Sequence, residues 1–149
     1  MSLKTPIKDY GFVVIQLLLF VAYILPLKLY EIQLPEWLRY SGLFVLSMGV
    51  ILGIVATLQL NTKLSPFPSP VEDGKLITTG AFRISRHPIY TALLFSGLGY
   101  ALYNLSLYQM LITGFLLLLF YYKSDYEETL LMRKYPEYNT YKKSTRRFI

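Results

Sequence analysis

The single histidine of the chain stands in a short stretch that is dense in polar and aromatic side chains. The stretch, GAFRISRHPIY, covers residues 80–90 and leads directly into a long apolar run. Arg86 and His87 offer donors for a carboxylate or a ring nitrogen. Pro88 suits the first turn of a helix, whose positive dipole end then points at the same place. Because Tyr90 adds a flat face and a hydroxyl, we expect a binding site here and not only a helix cap.

A pair of adjacent acids, Glu127 and Glu128, follows the last apolar run of the chain. Adjacent residues of a helix lie ~100° apart around its axis, so both cannot face the same strip of solvent. We therefore expect at least one of them to turn toward the protein, although a solvated pair is the alternative. A carboxylate there suits an ammonium group or a ribose diol. Together the two clusters suit a ligand that carries a carboxylate, an amine, a ribose and a positive centre. S-adenosylmethionine is one ligand, though not the only one, that has all of these groups.

The composition predicts a membrane protein of one domain. The 149 residues are 54% hydrophobic and 16% aromatic, with a mean hydropathy of +0.40. With no cysteine and one histidine, the chain excludes disulfides, a cysteine nucleophile and a multi-histidine zinc centre, and we predict no metal. The net charge of +6 comes from basic residues beside apolar segments, which indicates a membrane surface and not nucleic acid.

Four apolar runs predict an all-α polytopic membrane protein with about four transmembrane helices. A spanning helix needs ~20 mostly apolar residues, and the runs cover residues 11–29, 38–60, 88–103 and 107–122. The first two form an N-terminal half, 1–60, and residues 61–149 form a cofactor-binding hairpin and tail of the same domain. The last helix is predicted to continue beyond the membrane as a cytoplasmic extension that stops at Pro136.

The distribution of basic residues predicts the orientation. Basic residues are concentrated at the N-terminus, in the loop after the second run and in the C-terminal tail, whereas the other side carries only Lys28 and Arg39. By the positive-inside rule both termini and the middle loop are cytoplasmic, and we expect the inner membrane of a prokaryote. This topology brings the arginine–histidine and glutamate pairs to the same membrane face.

The second apolar run carries three glycines on one helical face. Gly42, Gly49 and Gly53 lie seven and four residues apart, and Gly49-x-x-x-Gly53 lets another helix approach closely. We expect this face to pack within the chain, with a dimer through Gly49 and Gly53 as the alternative.

Three motifs in residues 61–149 resemble a known family. They are Arg-His-Pro-x-Tyr at Arg86 to Tyr90, Glu-Glu-x-x-Leu at Glu127 to Leu131, and Tyr-Pro-Glu-Tyr-x-x-Tyr at Tyr135 to Tyr141. Their order across one helical hairpin resembles the isoprenylcysteine carboxyl methyltransferase family, whose wider clan includes the phospholipid N-methyltransferases. The resemblance implies a helical membrane enzyme that binds S-adenosylmethionine at the cytoplasmic face. It implies cofactor contacts by Leu76, Thr79, Gly80, His87, Pro88, Tyr90, Gly97, Gly99, Glu127 and Glu128.

The expected reaction is methyl transfer to a lipophilic acceptor that reaches the site sideways from the bilayer. A carboxylate acceptor, whose pKa in water is ~3.3–3.7, is ionised at pH 7 and needs only a cation such as Arg86 or Arg83 to hold it. An amine acceptor, as in phospholipid-type N-methylation, must first lose a proton to His87 or a glutamate. Two further hypotheses are a sterol-reductase-like NADPH enzyme and a non-catalytic interaction module whose basic tail binds anionic membrane lipids.

Overall fold

The computed structural model describes residues 6–149, most of which are helical. In chain order the helices are α1 (Ile7–Ile24), α2 (Glu36–Leu60), α3 (Ala81–Ile84), α4 (Pro88–Tyr103), α5 (Leu107–Lys134) and α6 (Tyr138–Ser144). A short 3₁₀ turn, Asn61–Lys63, extends α2. Within this described part the chain forms no β-strand, only an isolated bridge between Glu31 and Ser106. The all-α prediction is therefore confirmed.

Within residues 6–149, three helices are long and apolar enough to cross a bilayer, namely Ile7–Ile24, Glu36–Lys63 and Leu107–Lys134. Their outward faces carry large apolar side chains, and Leu18, Leu58 and Phe115 are all more than half exposed. An apolar exterior of this kind fits the hydrocarbon core of a bilayer. The helices α1, α2 and α5 correspond to the first, second and fourth predicted spans.

The third predicted span is a shorter helix than the others. With 16 residues, α4 is about 24 Å long, which is less than the ~30 Å hydrocarbon core. It begins at Pro88 and ends before a turn in which Leu105 has a positive φ of 54°. The predicted set of about four spans therefore becomes three full-length helices and one short helix packed against α2.

Close packing of α2 against α4 depends on glycine. A Cβ on Gly49 would lie 2.7 Å from the backbone nitrogen of Ser96, and a Cβ on Gly42 would meet the carbonyl oxygen of Gly99. A Cβ on Gly53 would lie 3.2 Å from the Cβ of Ala92. This glycine face is thus used for packing inside the chain, as we expected in preference to a dimer contact.

The helix α5 lies at the centre of the fold and continues beyond the apolar core. Leu116, Leu119 and Phe120 are buried in a cluster with Leu94 of α4, against which Phe12 of α1 packs. The helix spans 28 residues, about 42 Å, and ends at Lys134, just before Pro136 as predicted. Its last turns therefore carry the acidic pair past the end of the apolar cluster.

The loop of residues 64–80 crosses the end of α5 and is anchored to the helices. The Tyr135 hydroxyl donates to the carbonyl oxygen of Gly74 at 2.6 Å. The backbone nitrogen of Ser69 donates to the carboxylate of Asp9, a buried residue of α1, at 3.1 Å. Residues 64–80, which we call the covering loop, therefore lie over this end of the helices.

The C-terminal residues return to the start of α4. The backbone nitrogen of Arg86 donates to the carbonyl oxygen of Arg146 at 2.8 Å, and that of His87 donates to the carbonyl oxygen of Arg147 at 3.2 Å. The segment after α6 is therefore part of the folded body and holds the residues that precede α4.

We predict that Gly49→Ala lowers the stability of the protein by about 1–3 kcal/mol, because the added methyl group collides with the backbone of α4. The measurement is thermal unfolding in detergent. Gly114→Ala is the matched control, since a Cβ at Gly114 meets nothing within 4 Å and removing a helix glycine is neutral or mildly stabilising. Equal unfolding temperatures for the two variants would contradict the proposed packing role.

Candidate functional site

A cavity of about 340 Å³ opens where the ends of α2, α4 and α5 meet the covering loop. This volume lies in the range of small-molecule sites. Polar and aromatic side chains line part of its wall: Gln16, Arg86, His87, Tyr90, Lys123, Glu127, Tyr135, Tyr138 and Tyr141. A larger cavity, of about 600 Å³, lies at the opposite end of the helices and is lined by residues 25–34 and 104–106 together with Gln109. Because the buried ionisable groups surround the smaller cavity, it is the better candidate.

Glu128 is fully buried and collects four nitrogen donors. The Nε of Arg86 lies 2.9 Å from Oε1, and the Nε2 of His87 lies 3.1 Å from the same oxygen. Lys142 and Arg147 reach Oε2 at 3.1 Å and 3.3 Å. A carboxylate with this many charged neighbours remains ionised although it is removed from water. Glu128 therefore joins α5 to the start of α4 and to the C-terminal segment.

Glu127 faces the cavity with few protein partners. Its carboxylate accepts a hydrogen bond from the Tyr90 hydroxyl at 3.0 Å, and the Nδ1 of His87 lies 3.7 Å away. Its side chain is 24% exposed, compared with 1% for Glu128. The two acids therefore point in different directions, and the expectation that at least one turns toward the protein is confirmed.

His87 and Tyr90, which line the cavity, belong to a stack of three aromatic rings. The rings of His87 and Tyr90 are nearly parallel with centroids 5.4 Å apart, and Tyr90 stacks on Phe120 at 4.6 Å. His87 is 6% exposed and directly precedes Pro88, the first residue of α4. Stacking and the helix start thus fix both rings at the cavity wall.

Lys123 is a buried cation at the same cavity, and reasoning from sequence missed it. Its Nζ donates to the side-chain oxygen of Gln16 at 2.6 Å and to the carbonyl oxygen of Pro66 at 2.7 Å. It also lies 5.3 Å from the centre of the Tyr90 ring. The charge pattern alone places it among the basic residues of the tail. The sequence could have indicated this role, because Lys123 lies four residues before Glu127 and therefore on the same face of the helix.

The two arginines predicted to hold an acceptor have other positions. The Arg86 guanidinium lines the cavity but donates to Glu128 and to the backbone carbonyl oxygens of Lys142 and Thr145. Arg83 is exposed on α3 and does not line the cavity. Buried Glu128 attracts Arg86 because an unpaired carboxylate there would be costly. Arg86 is therefore held by Glu128 and the C-terminal backbone, and Arg83 lies away from the cavity.

The loop residues that the family resemblance implied as cofactor contacts take two kinds of position in the structure. Leu76 lines the cavity, and so does Pro88 at the start of α4. Thr79 and Gly80 instead contact Gln59 of α2, whose side-chain nitrogen donates to the carbonyl oxygen of Thr79 at 3.1 Å. Gly80 has a positive φ of 59°, so glycine is required there by the backbone turn.

The structure does not bring Gly97 and Gly99 to the cavity. Gly99 packs against α2, and the nearest side chains to a Cβ at Gly97 would be Thr113 and Tyr23. The Tyr23 hydroxyl donates to the carbonyl oxygen of Gly97 at 2.6 Å. Both glycines therefore serve helix packing, because α4 passes between other helices at this depth.

A comparison with protein families adds an independent finding. The family model described as phospholipid methyltransferase matches residues 37–138, about two thirds of the chain. A search of the curated proteins and of solved structures finds no significant match. The match agrees with the clan to which the three motifs pointed, and the matched residues include both clusters at the cavity. The chain therefore belongs to the phospholipid methyltransferase family of membrane methyltransferases.

Proposed function

We propose that the chain is an S-adenosylmethionine-dependent methyltransferase whose cavity binds the cofactor beside a lipophilic acceptor. One observation carries this proposal: residues 86–90 and Glu127, far apart in sequence, line one cavity between apolar helices. The family match independently supports methyl transfer. It gives no support to the NADPH-enzyme or interaction-module hypotheses.

The side chains at the cavity fit the chemical groups of this cofactor. Glu127 has a carboxylate oxygen not engaged by Tyr90, and it suits an ammonium group or a ribose hydroxyl. The stacked His87 and Tyr90 rings form part of the cavity wall, and Leu76 and Pro88 add apolar surface to it. These are the groups through which we propose that the cofactor is held.

When bound, the cofactor supplies a methyl group on a positively charged sulfur. The contribution of the protein is to hold nucleophile and methyl group in line and to exclude water, which is proximity and orientation work. In this proposal Glu127 contacts the ligand, and Glu128 acts through Arg86 and His87, which it positions. In this proposal the covering loop limits the access of solvent to one side of the cavity.

For the acceptor we propose a lipophilic carboxylate. One part of the cavity wall is apolar and includes Leu60, Leu64, Phe67 and Leu93, which suits a hydrocarbon chain. Arg86 is held by Glu128, and Arg83 lies away from the cavity. We therefore assign the carboxylate head to Lys123, whose ammonium group has three donors and gives two of them to Gln16 and Pro66. An ionised carboxylate needs no general base, and this site would supply only charge and alignment.

An amine acceptor, as in phospholipid-type N-methylation, is the second candidate, and the family match does not decide between the two acceptors. An ammonium group must lose a proton before it attacks, so a base has to stand at the cavity. Glu127 is the carboxylate in position for this, because both oxygens of Glu128 are occupied by cations. The class of acceptor therefore decides whether Glu127 only binds or also accepts a proton.

We predict that Glu127→Gln weakens S-adenosylmethionine binding about 10- to 100-fold, since a charge-assisted hydrogen bond contributes about 1.5–3 kcal/mol. Isothermal titration calorimetry in detergent measures this. The variant should remain folded, because Glu127 has few protein partners. The neighbouring Glu128→Gln is the matched comparison and should lower stability by about 3–5 kcal/mol by removing a buried charge. Wild-type affinity in Glu127→Gln would refute the assignment.

For the acceptor, we predict that membranes containing the protein transfer tritiated methyl groups into a lipid extract in base-labile form. Mild base should release volatile methanol, because a methyl ester hydrolyses and an N-methyl group does not. Membranes containing Glu127→Gln, which should bind the cofactor more weakly, serve as the low-activity control. Label that survives base treatment would reject the carboxylate and support the amine.

We also propose that the cavity faces the cytoplasm, because the basic residues of the chain are concentrated at the same end of the helices as the cavity. Because the chain has no cysteine, single reporters can be introduced at the exposed positions Lys143 and Gln33, at the two ends of the helices. In intact cells, an impermeant maleimide should label Gln33→Cys and leave Lys143→Cys unmodified. The reverse pattern would contradict this orientation.

A further inference from the structure

Tyr138 has a buried hydroxyl that the protein leaves without a partner. The residue is the first of α6 and is 1% exposed. Its Oη has no hydrogen-bond partner in the described part of the chain. Tyr138 nevertheless lines the candidate cofactor cavity. Buried polar atoms in folded proteins almost always have a partner, so an orphaned one beside a cavity points to a ligand atom.

Two neighbouring tyrosines show that the lack of a partner is specific to Tyr138. The Tyr141 ring packs edge-on against it, with centroids 5.6 Å apart, and the Tyr141 hydroxyl donates to the carbonyl oxygen of Phe82. The Tyr135 hydroxyl donates to the carbonyl oxygen of Gly74 at 2.6 Å. All three tyrosines line the cavity, and two of them have protein acceptors.

The charged groups near Tyr138 do not supply the missing acceptor. Glu128 is near enough to act on this hydroxyl, but its Oε1 already contacts Arg86 and His87, and its Oε2 contacts Lys142 and Arg147. Burial, reinforced by the negative charge of Glu128, raises the pKa of Tyr138. The hydroxyl therefore stays protonated at neutral pH and can act as a donor.

We propose that Tyr138 is a cofactor-binding residue, whose hydroxyl donates a hydrogen bond to an acceptor atom of bound S-adenosylmethionine. This inference rests on the proposed function and adds a ligand contact that neither the motifs nor the family match assigns. The cofactor is a better partner than the lipid acceptor, because Tyr138 lines the cavity near the polar cluster of Arg86 and Glu128.

The test compares Tyr138→Phe with Tyr141→Phe, which remove the same atom from adjacent rings of one helix. Binding of S-adenosylhomocysteine is measured by calorimetry without any acceptor, and unfolding is measured without ligand. Tyr138→Phe should bind about five- to tenfold more weakly, the effect of one hydrogen bond, and its ligand-free unfolding temperature should be unchanged or higher. Tyr141→Phe should unfold at a lower temperature, because the carbonyl oxygen of Phe82 loses its donor.

Three outcomes would overturn the proposal. Wild-type affinity in Tyr138→Phe would show that its hydroxyl does not contact the cofactor. A ligand-free unfolding temperature as low as that of Tyr141→Phe would show that the hydroxyl has a protein partner after all. If the wild-type protein itself does not bind S-adenosylhomocysteine, the proposed function fails and this inference fails with it.

Discussion

The buried carboxylate of Glu128 is the interaction on which the rest of the site depends. A negative charge removed from water is tolerated only when cations and hydrogen-bond donors surround it. Here the cations come from separate segments: Arg86 precedes α4, Lys142 lies on α6, and Arg147 lies in the C-terminal segment. One buried carboxylate thus ties all three segments to α5, and Arg147 is held by Asp125 as well.

This arrangement divides the work between two adjacent acids. Both carboxylate oxygens of Glu128 are bound by protein side chains, whereas the carboxylate of Glu127 faces the cavity. The division follows from helix geometry, since a step of ~100° turns neighbouring side chains toward different surroundings. Arg86 pairs with Glu128 because an unpaired buried carboxylate would be costly. Lys123 is then the buried cation on the cavity side.

Polar groups between apolar helices are concentrated at one end of the molecule. Lys123 donates hydrogen bonds to Gln16 of α1 and Pro66 of the covering loop. The carboxylate of Asp9 accepts a hydrogen bond from the backbone nitrogen of Ser69. Such groups are costly inside a bilayer unless they have partners, and here those partners join the loop to the helices. The same contacts hold the covering loop against this end of the helices.

The apolar runs, the breaks at proline and the charge distribution were enough to predict an all-α membrane protein and the meeting of the two polar clusters. They succeed because helix length and residue periodicity are local properties. The roles of individual side chains were decided by tertiary packing. Gly99 serves contact with α2, Arg86 serves Glu128, and Lys123 lies buried beside the cavity where a tail residue was expected. These assignments depend on which distant atom completes a close contact or neutralises a charge, and only the folded chain determines that neighbour.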